Sequence, residues 1–153
     1  FDQLVTNRRL EGARLGEILV RLLQDLQKWR DAAEQEALQQ PAMLKERLHA
    51  ALKELLGASP SLSEERLAQE LALLATKADV REELDRLKAH IQAAYALLQE
   101  DGAIGRRLDF LCQELGREAN TLCAKAQALN LTRIGLELKA GIEQFREQVQ
   151  NLE

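Results

Sequence analysis

The feature that most constrains this chain is its opening stretch, which runs from Phe1 to about Gln39 without a proline. Apolar side chains recur in it at intervals of three and four residues: Leu15, Ile18, Leu19, Leu22, Leu23, Leu26 and Trp29. That spacing places them on one face of an α-helix, which is buried only against other helices, as in a coiled coil or an antiparallel hairpin. The sequence therefore predicts an all-α fold with one exceptionally long N-terminal helix or helical hairpin.

The remaining boundaries follow from a few residues that end or begin helices. Pro41 is predicted to end the first helix, and Gly57 a second. Residues 58–61 are predicted to form a loop, and Ser61 or Ser63 to cap a third helix. Further helices are expected from about 80 to 99, from 105 to 125 and after residue 130, so we expect an elongated bundle of about six helices. We expect residues 1–60 to form a helical arm and residues 61–153 a helical core.

The start of the fourth helix depends on Asp79. Asp79 and Glu82 have the spacing of a capping box, in which the first side chain binds a backbone N–H of the new helix. A continuous, kinked helix through this point is the alternative. We expect a new helix to start here.

Charge and cysteine content limit the functional classes. The net charge of −4 argues against a general polyanion-binding surface. The charge is unevenly distributed, however: residues 61–101 carry five basic and nine acidic side chains, and residues 102–146 carry seven basic and five acidic ones. Cys112 and Cys123 lie on one predicted helix and cannot bridge each other, which is typical of small core residues in a reducing cytoplasm. No stretch is apolar enough to predict a membrane span. Because the chain starts at Phe1, we expect a fragment or a processed form.

The helix predicted over residues 105–125 has two distinct faces. Its apolar stripe consists of Leu108, Leu111, Cys112, Leu115, Ala119 and Leu122. The opposite face carries Arg106, Asp109, Gln113, Arg117 and Asn120, with Phe110 beside them. Arginines, amides and an aromatic ring suit phosphates and unpaired bases of RNA. An inter-helix or inter-subunit surface uses the same residue types and is the simpler interpretation from the residues alone.

A second polar face is predicted on the preceding helix. Asp79, Glu83, Arg86 and His90 fall on one side, turned away from most of the apolar stripe, with Glu82 at the margin. Acids near an imidazole could hold a divalent cation or perform acid–base catalysis. A solvated face with ion pairs such as Glu82–Arg86 is the simpler alternative. No HExxH motif, zinc-ligand spacing, phosphate-binding glycine loop or GxSxG motif is present in the sequence.

Several stretches resemble one known family. They are EGARL at 11–15, EERLAQELALLATKADVREELDRLKAH at 64–90, GRRLDFLCQELGREANTLCAK at 105–125 and ELKAGIEQFREQVQNLE at 137–153. In this order they are similar to the C-terminal half of the YicC-like bacterial endoribonucleases. Gly116, Ala124 and Ala126 depart from the family's pattern.

The resemblance implies a cytoplasmic, metal-dependent endoribonuclease that cuts single-stranded RNA and forms a ring-like homo-oligomer, a hexamer, with no membrane association. The family's N-terminal domain is absent from this chain, so an oligomerisation and RNA-binding module with catalysis elsewhere is the alternative function. The residues expected to take part in catalysis are His90, Glu83, Glu82 and Arg86. The expected ligands of Mg²⁺ or Mn²⁺ are Glu70, Asp79 and Glu83. The residues expected to bind RNA are Arg106, Arg107, Phe110, Gln113, Arg117, Asn120 and Lys125.

Overall fold

The fold is entirely helical in the residues that the structure, a computed structural model, describes, which are 2–56 and 64–152. This confirms the predicted all-α class. None of the helices in these ranges is both long and apolar enough to cross a membrane. The helices are α1 (Asp2–Leu56), α2 (Glu64–Ala78), α3 (Arg81–Leu98), α4 (Gly105–Lys125) and α5 (Leu129–Val149).

The described ranges hold five helices rather than about six, because Pro41 lies inside α1 instead of ending it. A proline in a helix interior lacks one backbone hydrogen bond and costs about 3 kcal/mol. Contacts next to it oppose a break. The buried Gln40 side chain donates to the Ala78 carbonyl at 2.8 Å and accepts from the Gln127 backbone N–H at 2.9 Å. Leu44, on the far side of the proline, is also buried.

The predicted break between the third and fourth helices is confirmed, and the continuous kinked helix is wrong. One carboxylate oxygen of Asp79 accepts from the backbone N–H of Arg81 at 2.9 Å, where α3 begins. The capping box itself does not form, because Val80 is the N-cap residue and the Glu82 side chain binds Arg86 instead. The predicted stop at Gly57, the loop at 58–61 and the caps at Ser61 and Ser63 lie outside the described residues.

Four helices form the bundle, in which α1 packs against α3 and α5, and α4 packs against the same two helices from the other side. Arg30 contacts Leu84 of α3, and Gln40, further along α1, contacts Ala78 just before α3 begins, so α1 runs antiparallel to α3. The core contains all of the predicted α4 stripe, and its largest fully buried side chains include Phe145, Leu19, Leu23, Leu26, Leu87, Ile91, Leu108, Leu115, Leu122, Leu131 and Leu138. Burial of this apolar surface is what holds the helices together.

The helix α2 lies outside this bundle and packs against α1. Its leucines are poorly covered: Leu73 is 58% exposed and Leu74 is 37% exposed. α1, by contrast, contributes residues such as Leu23 and Ala33 to the same core as α3, α4 and α5. The predicted domain boundary near residue 60 stays a prediction.

Both cysteines are free thiols on α4. Burial raises the pKa of the Cys112 thiol to about 12, and burial also raises the pKa of Cys123. Raised pKa values disfavour the reactive thiolate, so the two residues behave as core side chains.

Candidate functional site

The surface between α3 and α4 brings together about half of the predicted site residues along one seam. On α3, Glu83, Arg86, His90, Ala93 and Leu97 follow each other at intervals of three and four residues. On α4, Arg107, Phe110, Glu114, Glu118 and Lys125 form the facing row. The helices are antiparallel, because Glu83 pairs with Lys125 and Arg86 pairs with Glu118. We call this surface the α3–α4 seam.

One end of the seam is closed by a buried ion pair. Glu83 is only 2% exposed, and one of its carboxylate oxygens accepts from the Lys125 ammonium at 2.7 Å. Lys125 also donates to the backbone carbonyl of Asp79 at 3.3 Å. The sequence predicts Glu83 on a face turned away from most of the apolar stripe, but it is buried, so the alternative of a solvated face is wrong for this residue. Its direction at the start of α3 is toward α4, where Lys125 supplies the charge that a buried carboxylate requires.

The middle of the seam is a second, more exposed charge cluster. Arg86 pairs with Glu82 one turn earlier and lies 3.5 Å from the carboxylate of Glu118 on α4. Glu118 has only 8% of its side chain exposed, whereas half of Arg86 is exposed. His90 is half-buried one turn further along α3, and the antiparallel register places it level with Glu114.

The other end of the seam opens into a cleft of about 470 Å³ between the end of α3 and the start of α4. Its α3 side is lined by the small side chains of Ala93 and Ala96. Phe110 of α4 faces the cleft and remains 60% exposed. Arg106 and Arg107 line the same cleft from the first turn of α4.

The two arginines of the cleft differ in their contacts. Arg107 binds Glu100 at 2.6 Å, whereas Arg106 has no ion pair within the described part of the chain. An exposed ring beside a free guanidinium group suits a base that stacks and a phosphate that accepts hydrogen bonds. The cleft therefore offers a ligand one exposed aromatic face and one guanidinium group without an ion pair among the described residues.

The polar row predicted on α4 does not act as a single unit. Asp109 accepts hydrogen bonds from Arg146 of α5 at 3.3 Å and from Gln113 at 3.2 Å. This part of the row therefore links α4 to α5. Arg117 is 74% exposed in its side chain and lies 3.9 Å from Glu114. Asn120 is exposed.

The structure does not assemble the predicted metal ligands. Glu70 is exposed on α2, roughly 12 Å along the helix axis from Ala78. Asp79 binds Arg81, whose side chain and backbone N–H lower the pKa of that carboxyl to about 2. Within residues 2–56 and 64–152, no three of His, Cys, Asp or Glu lie close enough together to hold a metal ion. Metal dependence therefore stays a prediction.

Sequence reasoning missed several buried polar side chains that position these helices. Arg30 of α1 is 3% exposed and donates from Nε to the Leu84 carbonyl of α3 at 3.0 Å, while its Nη1 donates to Asp31 and Glu34. Gln40 joins the α2–α3 connection to the α4–α5 connection. Arg30 could have been found from the sequence, because it occupies a position of the apolar stripe of α1 where a buried side chain is expected. Nothing in the local sequence marks Gln40.

The predicted RNA-binding residues are spread along α4 rather than gathered at one point. Arg106, Arg107 and Phe110 meet at the cleft, and Gln113, Arg117 and Asn120 follow along the exposed side of the helix. Lys125 is at the closed end, roughly 28 Å from Arg106 along the helix axis. Of the predicted catalytic residues on α3, Arg86 and His90 lie between these two ends, whereas Glu82 and Glu83 lie at the closed end.

Comparison with known proteins assigns the chain to a family. Residues 33–153 match the family model described as endoribonuclease YicC-like, C-terminal. A "Probable endoribonuclease YicC" from Haemophilus influenzae is 41% identical over 157 aligned residues, which cover all of this chain and 54% of that relative. A protein of the same name from Clostridioides difficile is 41% identical over 109 residues, covering 71% of this chain and 37% of the relative.

The chain thus spans about half the length of the first of these relatives and a smaller share of the second. The matched residues include all of α2 to α5 and residues 33–56 of α1. The α3–α4 seam lies wholly within the matched region. The chain belongs to the YicC-like endoribonuclease family and corresponds to its C-terminal region.

Proposed function

We propose that this chain is the RNA-handling helical region of an endoribonuclease that cleaves single-stranded RNA. The observation that carries the proposal is the cleft at the open end of the α3–α4 seam, where Phe110 is 60% exposed beside Arg106. A protein that recognises unpaired bases stacks them on aromatic rings, and a duplex does not offer its bases in this way. The names of the two relatives support the same class of activity.

In the proposed mechanism, Arg106 and Arg117 bind phosphates of the strand and Phe110 stacks on a base. His90 is the candidate general base or acid, because it lies one turn from the α3 residues that line the cleft. Arg86 and the exposed Glu82 lie one and two turns before it on the same helix. Glu83 is buried against Lys125 and therefore acts on the neighbouring groups rather than as an exposed base.

The family resemblance also implies a divalent cation, Mg²⁺ or Mn²⁺. The carboxylates Glu70, Asp79 and Glu83 do not fit a common ion in the described residues, because two of them bind cationic side chains and the third lies on another helix. We therefore assign no catalytic step to a cation. A chelator in the cleavage assay decides whether one is required.

The direct test is RNA binding by this chain, measured as fluorescence anisotropy of a labelled single-stranded oligonucleotide. Arg106→Ala and Phe110→Ala should each weaken binding by roughly tenfold, since a base stack or a charged hydrogen bond is worth about 1–3 kcal/mol. The matched controls are Arg133→Ala and Leu129→Ala, which remove exposed side chains of the same kind from α5. Equal binding by all four variants would contradict the proposed surface.

Cleavage is tested with end-labelled RNA, with Mg²⁺ or Mn²⁺ and then with chelator, and the Haemophilus influenzae relative is assayed alongside. If the chain cuts, His90→Ala should abolish cutting and leave RNA affinity unchanged. If His90→Ala cuts as fast as the wild type, the catalytic role of His90 is wrong.

The alternative is an RNA-binding and oligomerisation module whose catalytic residues lie elsewhere. The favouring observation is that the relative from Haemophilus influenzae is nearly twice as long as this chain. Binding without cleavage in the two assays above would select it. Two further proposals follow from the resemblance: a homo-oligomer, specifically a hexamer, and a cytoplasmic location. The exposed leucines of α2 are consistent with the homo-oligomer. Light scattering coupled to size-exclusion chromatography measures the number of copies.

A further inference from the structure

The closed end of the seam contains one atom whose bonding is incomplete. One oxygen of Glu83 binds Lys125, but Oε2 is buried and has no hydrogen-bond partner among the described residues. A buried carboxylate oxygen without a donor costs free energy, and native structures leave few such atoms without a partner. The described residues supply the Glu83 carboxylate with one hydrogen-bond donor, although its two oxygens can accept several hydrogen bonds.

Lys125, by contrast, has a hydrogen-bond donor that is not used within the described residues. Its ammonium carries three N–H groups, of which one binds Glu83 and one binds the Asp79 carbonyl. The side chain is 33% exposed, so the third N–H can reach an anion from solvent. The pair therefore presents a free donor next to a carboxylate oxygen that lacks one.

A ribonucleotide has both complementary groups on adjacent carbons of one sugar. The 3′-phosphate accepts hydrogen bonds, and the neighbouring 2′-hydroxyl donates one. We propose that Glu83 and Lys125 form a ribonucleotide subsite in which Lys125 binds the phosphate and Glu83 accepts a hydrogen bond from the 2′-hydroxyl. The subsite rests on the proposed function and extends it, because it gives the seam a way to prefer RNA to DNA.

Access to Glu83 passes through Lys125. The ammonium lies against the carboxylate, and its long stem has several rotatable bonds. When the phosphate draws the ammonium outward, the stem shifts away from the carboxylate, and the 2′-hydroxyl can then donate to Oε2, the oxygen that lacks a donor. DNA offers the phosphate but no hydroxyl, so it leaves the carboxylate with fewer partners than it had before binding.

The test compares four affinities in a double-mutant cycle: wild type and Glu83→Met, each with an RNA oligonucleotide and with the 2′-deoxy oligonucleotide of the same sequence. Wild type should bind RNA about tenfold more tightly, as one hydrogen bond to a charged acceptor provides. Glu83→Met should bind both oligonucleotides equally. Lys125→Ala should weaken both and reduce the slope of log affinity against log salt by about 0.7.

The protein controls are Glu143→Gln and Lys139→Ala, which change exposed charges on α5. Because a variant at Glu83 can lose stability, a second measurement leaves the protein unchanged and replaces single 2′-hydroxyls of the RNA by 2′-fluoro groups. At least one replacement should reproduce the loss of affinity.

Equal affinity of the wild type for RNA and DNA, or a preference that survives in folded Glu83→Met, would overturn the subsite. If Arg106→Ala still weakens RNA binding in that case, the proposed function stands and only the subsite fails. If the chain binds neither oligonucleotide, both proposals fail.

Discussion

The two ends of the α3–α4 seam are built from the same pair of helices, yet one is closed and the other is open. At the closed end, Glu83 extends from α3 and is covered by Lys125 of α4. At the open end, Ala93 and Ala96 are the exposed α3 side chains that line the cleft, Leu97 beside them is buried in the core, and the facing Phe110 remains mostly in solvent. Side-chain length on α3 therefore decides whether the seam forms an interhelical contact or a cleft. Charges that are paired inside the seam position helices, whereas Arg106 at its open end is available to a ligand.

The largest effect is expected from removing the cation at the closed end. Lys125→Met leaves a buried carboxylate without its partner, which destabilises a protein by roughly 3 kcal/mol. Urea denaturation followed by circular dichroism measures the loss. Arg106→Met at the open end is the matched control and should change the unfolding free energy by less than about 0.5 kcal/mol. Similar losses of unfolding free energy in the two variants would contradict the distinction between a structural closed end and an open end that is free to bind a ligand.

A smaller effect is expected in the middle of the seam. Glu118 is buried but Arg86 is half-exposed, and their closest charged atoms are 3.5 Å apart. Solvent screens such a pair, so the coupling energy between Arg86→Ala and Glu118→Ala should be about 0.5–1 kcal/mol. A double-mutant cycle from denaturation midpoints measures it. A coupling near zero would show that Glu118 packs without a useful ion pair.

A stabilisation is expected on α4 between the two ends. Gly116 lies inside the helix, and a Cβ atom built there meets nothing within 4 Å. Gly116→Ala should raise the unfolding free energy by about 0.5–1 kcal/mol, because alanine loses less backbone freedom on folding. Thermal melting checks the gain. RNA affinity should be unchanged, and a change in affinity would place this position in the binding surface.

The smallest effect concerns Asp79, next to the closed end. Arg81 lowers the pKa of this carboxyl to about 2, so the folded state binds its proton less readily than the unfolded state does. The resulting stability is present above the normal pKa near 4 and is lost as the pH falls toward 2. Because the pair is largely exposed, Asp79→Asn should cost less than about 0.5 kcal/mol at pH 7.

Urea midpoints of the wild type and Asp79→Asn at several pH values between 7 and 2.5 measure this difference. It should shrink below pH 4 as the wild-type carboxylate takes up its proton. A difference that is constant with pH would assign the effect to the hydrogen bond with the Arg81 backbone and not to charge.

Much of the fold could be predicted because it depends on local periodicity. The apolar stripe of α4 is buried as expected, from Leu108 to Leu122, and the helix break at Asp79 is where the capping pattern indicates it. Hydrophobic spacing and helix ends are properties of neighbouring residues, so a single sequence contains them. Pro41 shows the limit. Its neighbour Gln40 binds residues 38 and 87 positions away in the sequence, and those two bonds oppose a break that local propensity favours.

The candidate site divides in the same way. The sequence by itself determined which residues share a face of α3 or of α4, and so placed Phe110 and Arg106 on the exposed side of their helix. Only the tertiary structure decided that Glu83 is buried under Lys125 and that Asp109 binds Arg146 of α5. It also decided that the small alanine side chains of α3 leave a cleft beside Phe110. The physical reason is that periodicity fixes the direction of a side chain on its own helix. Burial and pairing depend on which side chain the neighbouring helix brings to the same level.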